Sequence, residues 1–103
     1  MKIDVLYVEG CPNHLPAVRR IQQVLQDEDC QAVITEVLVP DAETAQQLRF
    51  PGSPTVRING LDVEPDVQNA HAFGFMCRRY ADGAPSYDQI RAAVRAALKH
   101  GGK

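Results

Sequence analysis

Cys11 stands in Gly10-Cys11-Pro12-Asn13-His14, directly after an apolar run, and a second distinctive stretch, Gly52-Ser53-Pro54-Thr55, follows downstream. A cysteine is nucleophilic as the thiolate. Where a strand ends and a helix begins, the partial positive charge of the helix end favours that form. His14, one helical turn on, brings a group that can stabilise a thiolate, move a proton or bind a metal. The plainer alternatives are a small apolar residue at a strand end for Cys11 and an exposed polar residue for His14. Cys30 and Cys77 complete a set of three cysteines. Three cannot all pair within one chain, so the count points to a reactive or metal-binding thiol and away from an extracellular disulfide framework.

The elements that must position these groups are legible from periodicity. Residues 2–8 are apolar on both alternating faces, as in a central strand covered on both sides, and they stop at Gly10. Leu15, Val18, Ile21, Val24 and Leu25 then recur at helical spacing to about Asp27, with Asn13 as N-cap and Arg19, Arg20, Gln22 and Gln23 towards water. Pro16 fits this helix if Asn13 is the cap, because the first helical amides lack partners. Residues 31–39 alternate through Val33, Thr35, Val37 and Val39 as a second strand. The intervening helix makes it parallel to the first through a right-handed crossover.

Pro40 ends that strand and Asp41 caps a short helix through Leu48. Residues 55–58 and 61–64 form a hairpin about Asn59-Gly60, a pair suited to a turn with positive φ twice. A last helix spans residues 86–99, with Ser86 and Gln89 as a capping box and Ile90, Ala93, Val94, Ala97 and Leu98 as its apolar face. The expected fold is α/β: βαβ, a helix, a ββ hairpin and a C-terminal helix about a mixed four-stranded sheet. It makes a single domain over residues 1–100 with a frayed tail at 101–103.

Composition narrows the function classes. The chain has 103 residues, 45% of them hydrophobic, and a formal net charge of -2. No stretch is long and apolar enough to span a membrane, and the acid within the first apolar run is unlike a secretory signal. A cytoplasmic location is the resulting expectation. The basic residues are scattered, with no electrostatic footprint for nucleic acid.

With Gly10-Cys11-Pro12 after the first strand and Ser53-Pro54-Thr55 before the hairpin, the chain resembles thioredoxin-like and glutaredoxin-like domains. In particular it is similar to small bacterial proteins of that type that carry Gly-Cys-Pro, Gly-Ser-Pro-Thr and a later Cys-Arg-x-Tyr segment. The resemblance spans nearly the whole chain and implies a thiol-disulfide oxidoreductase needing no cofactor, with a protein or low-molecular-weight thiol or disulfide as partner. It makes Cys11 the nucleophile, and implies a cis Ser53-Pro54 peptide with Ser53, Pro54 and Thr55 forming a ledge for an extended thiol substrate. His14 stands where the family has its second thiol. An imidazole cannot attack sulfur to resolve a mixed disulfide.

Cys77 is the candidate to take over that step. The second hairpin strand returns towards the Cys11 end, so the long connection carrying His71, Phe73, Phe75, Met76, Cys77, Arg78, Arg79 and Tyr80 emerges there, either as a lid or as a packed loop. Arg78 and Arg79 either bind an anionic thiol such as glutathione or form a wet basic pair. Arg57 and Asp62 read as solvated residues on the outer face of the hairpin. Cys30, carried about 20 Å away by the first helix, reads as structural. Two further readings stay open: binding of a thiophilic metal ion (Zn, Cu or Hg) by Cys11 and Cys77 with His14 or His71, and a redox-silent interaction module.

Overall fold

The computed structural model describes residues 1–64 and 84–101. In chain order the elements are β1 (Lys2–Tyr7), α1 (His14–Asp27), β2 (Val33–Leu38), α2 (Ala42–Gln47), β3 (Thr55–Ile58), β4 (Leu61–Asp62) and α3 (Tyr87–Gly101). They build an α/β structure around a mixed four-stranded sheet in the order β2-β1-β3-β4. β2 runs parallel to β1 with Lys2 opposite Val33, while β3 runs antiparallel with Ile3 opposite Ile58. The central place of β1 is the one its two-sided apolar run calls for. No helix among the described residues is long and apolar enough to cross a membrane.

Two clusters of apolar side chains lie on the two faces of β1, following the alternation of a strand. Ile3 and Val5 meet Ala17, Ile21, Val24 and Leu25 of α1, Val56 and Ile58 of β3, and Ile90 and Val94 of α3. Leu6 and Val8 meet Val39, Ala45 and Phe50, with Cys11, Val37 and Leu48 packed against them. Each fully buried Ile, Val or Phe contributes roughly 1.5–3 kcal/mol from leaving water.

The apolar face of α1 is the expected one at Val18, Ile21, Val24 and Leu25, and departs from it only at Leu15. Ala17, Ile21, Val24 and Leu25 form the buried stripe, and Leu15 lies 56% exposed. Two residues turn a helix by about 200°, so a stripe anchored on Ala17 turns Leu15 outward. Arg20 likewise leaves water to donate to the carbonyls of Ala84 and Pro85 at 3.2 and 3.0 Å. Asn13 occupies the cap position of α1 without a side-chain hydrogen bond, and Pro16 falls in the first turn, where its missing N–H costs nothing.

Asp41 does cap α2, its Oδ1 accepting from the Thr44 amide at 2.8 Å, and that bond holds its carboxyl below the usual carboxylate range. The Ser86–Gln89 capping box closes reciprocally: the Gln89 amide donates to Ser86 Oγ at 3.1 Å and the Ser86 amide donates to Gln89 Oε1 at 2.9 Å. α3 extends to Gly101, past the expected end at Lys99. Leu98, expected on its apolar face, is 42% exposed.

Both α1 and α2 end in the same way. The Asp29 amide donates to Gln26 and the Cys30 amide to Leu25, while the Arg49 amide donates to Gln46 and the Phe50 amide to Ala45. These are Schellman pairs, with Asp29 and Arg49 at positive φ in the position glycine usually takes. The residue after each pair turns back onto apolar neighbours, Cys30 onto the α1/α3 side and Phe50 into full burial with Leu6, Val8, Val39 and Ala45. In the hairpin, Asn59 and Gly60 both have positive φ, as the two-residue turn requires. β4 is shorter than the expected run to Glu64, although the Val63 amide still donates to Val56.

Candidate functional site

The site is built at the carboxyl end of β1. This strand sends its chain through α1 to the parallel β2 on one side and has the antiparallel β3 on the other. The Cys11 amide donates to the Val8 carbonyl at 3.2 Å, closing a turn whose third residue, Gly10, has a φ of 79°. That is the position and sign a type II turn demands of glycine. The Cys11 carbonyl in turn accepts from the His14 amide at 3.4 Å. Both backbone groups of Cys11 are therefore engaged, and its thiol, half-buried and free of any disulfide, rests against the Leu6, Val8 and Phe50 side of the sheet.

Nothing lies within 4 Å of a Cβ added at Gly10, so a substitution there meets backbone strain and no clash. Gly10→Ala is expected to cost about 1 kcal/mol from the left-handed conformation alone. Gly10→Asn should cost less, because asparagine tolerates that region. Urea unfolding of the three proteins checks the ranking, and an alanine variant as stable as the parent would show that the turn makes no such demand.

Ser53 reaches the same turn from the other side. The β1–β3 register sets Leu6 opposite Thr55, and continued for one more hydrogen-bonded pair it sets Val8 opposite Ser53. Pro54, lying between, has no N–H to extend the ladder. The Val8 amide donates instead to the buried Ser53 Oγ at 3.1 Å. The other end of the ladder closes similarly, with the Lys2 amide donating to Asn59 Oδ1 at 3.0 Å. The Ser53-Pro54 peptide is cis, and Thr55 is fully buried, its hydroxyl donating to the Gly52 carbonyl at 2.6 Å.

The His14 side chain is engaged by Tyr7 and Glu36. As the first residue of α1 it falls in line with Val18, Ile21 and Leu25, the stripe that faces the sheet. Its ring stacks on Tyr7 with centroids 3.6 Å apart and planes 9° from parallel, and its Nε2 meets Glu36 Oε1 on β2 at 2.5 Å. Ring stacking and a carboxylate partner hold this imidazole on the α1 face, while Cys11 packs on the opposite one. Tyr7 and Glu36 were not apparent as partners of His14 from the sequence. The signal is the parallel register, which places Glu36 opposite Val5 and next to the strand end.

Arg57 and Asp62 differ from the solvated pair expected of them. Asp62 is buried and its Oδ1 accepts from the Glu64 amide, while Arg57 donates to the Arg49 carbonyl. Cys30 follows the C-terminal end of α1, its Sγ 3.6 Å from the Gln31 carbonyl oxygen. Among the described residues no group of three or more His, Cys, Asp or Glu side chains is arranged to hold a metal ion. The readings that rest on His71, Phe73, Phe75, Met76, Cys77, Arg78, Arg79 and Tyr80 fall outside the described residues. Compared with protein-family models, curated proteins and solved structures, the chain matches none.

Proposed function

We propose that this chain is a thioredoxin-like protein that exchanges thiols and disulfides at Cys11. The observation that carries the reading is the Val8 junction. One strand-end residue bonds through its carbonyl to the Cys11 amide and through its amide to Ser53, so a half-buried thiol and the Ser53-Pro54 segment are held together. In the first step the Cys11 thiolate attacks one sulfur of a disulfide. A mixed disulfide forms, and the other sulfur leaves as a thiolate that takes a proton from water. In the second step the thiolate of a resolving cysteine attacks the Cys11 sulfur of the mixed disulfide, an intramolecular disulfide to Cys11 forms, and the substrate's remaining sulfur leaves as a thiolate that takes a proton from water. His14, occupied by Tyr7 and Glu36, has no sulfur for this step, and Cys77 is the thiol of this chain assigned to it.

The test is to incubate the Cys77→Ser protein with 2-hydroxyethyl disulfide and map the adducts by mass. The mixed disulfide should accumulate at Cys11 in this variant and give way to a Cys11–Cys77 disulfide in the parent. Absence of an adduct at Cys11 in both proteins would overturn the proposal. Equal accumulation in both would remove Cys77 from its role.

A further inference from the structure

We propose that Ser53 is a positioning residue for Cys11, acting through Val8; the inference rests on Cys11 being the exchanging thiol. Val8 lies beyond the last paired residue of β1, so the β3 ladder offers its amide no backbone carbonyl. The Ser53 hydroxyl takes that place, and it does so in full burial, where no water competes for the amide. The carbonyl of the same residue is the acceptor that closes the turn onto Cys11. The position of Val8 therefore sets the position of the thiol, and Ser53 sets the position of Val8. No contact between Ser53 and the sulfur is involved.

The link makes a demand that a general packing role would not. Loosening Val8 should release the Cys11 turn while leaving Cys30 undisturbed, because Cys30 is held by its own amide bond to Leu25 on the other side of the sheet. In Ser53→Ala, amide hydrogen exchange at Val8 and Cys11 should rise together by roughly tenfold as the buried acceptor is lost. The rate of mixed-disulfide formation at Cys11 with 2-hydroxyethyl disulfide should fall severalfold, with iodoacetamide labelling of Cys30 unchanged. Ser53→Thr, which keeps the hydroxyl, should restore the Cys11 rate.

A folded Ser53→Ala protein with the parent's Cys11 rate and amide protection would overturn the inference, as would a parallel rise in Cys30 labelling, which marks general loosening. If the alanine variant does not fold, the parent itself decides the matter. The amides of Val8 and Cys11 should then open in one event with the same urea dependence, and independent openings would overturn the link. If the parent forms no adduct at Cys11, thiol exchange fails, and the coupled amide exchange still reports on the Ser53 link separately.

Discussion

In a residue-resolved alkylation time course at neutral pH, Cys11 should react severalfold faster than Cys30, because Cys11 precedes the N-terminal end of α1 and Cys30 follows its C-terminal end. The two thiols are comparably half-buried, so exposure alone does not separate them. What separates them is the chain around each. Cys11 precedes the first turn of α1, and both of its backbone groups are fixed by turns. Cys30 follows the other end of α1, where the partial charge has the opposite sign, and its sulfur lies against the Gln31 carbonyl oxygen. Equal rates would remove the activated thiol from this account. A Cys11 rate that fell as salt rose, with Cys30 unaffected, would agree with an electrostatic origin.

Phe50→Ala should cost about 3–5 kcal/mol, the largest loss expected from a single side chain here, because an alanine leaves a cavity that the neighbours close only in part. Phe50 is fully buried between Leu6, Val8, Val39 and Ala45, on the side of the sheet where Cys11 and Leu48 also rest. Its backbone is fixed by the amide bond to Ala45, so the ring cannot be replaced by a small shift of the chain. Urea unfolding should show the loss as a lowered midpoint, with Phe50→Leu falling in between. A loss below about 1 kcal/mol would mean that this cluster is not packed as described. Because Cys11 packs against the cluster that Phe50 belongs to, the variant should also change Cys11 alkylation more than that of Cys30.

Much of the frame was legible because local signals agree with one another. The two-sided apolar run of β1, the cap at Asp41, the reciprocal Ser86–Gln89 pair and the Asn59-Gly60 turn each depend on residues a few positions apart, and each stands where the sequence puts it. The ends of the helical faces were less legible than their phase, which holds at Val18, Ile21, Val24 and Leu25 of α1 and at Ile90, Ala93, Val94 and Ala97 of α3. Leu15 and Leu98 both fit an apolar period, and only the faces that α1, α3 and the sheet present to one another turn them outward. The endings of α1 and α2 carry Asp29 and Arg49 where glycine would have announced a stop.

The sequence by itself determined the type and order of the elements and brought Cys11, Ser53 and Pro54 to notice, since strand alternation, capping and turn chemistry act over a few residues. Tertiary structure alone decided how those residues meet. Whether His14 serves the thiol depends on the phase of α1 against β1 and β2, and that phase delivers its ring to Tyr7 and Glu36. The bond from Val8 to Ser53 depends on the β1–β3 register, set by the whole length of the ladder and interrupted at Pro54. Such contacts join residues far apart in the chain. Their partners are chosen by packing, where burial of the two apolar clusters outweighs any single polar preference.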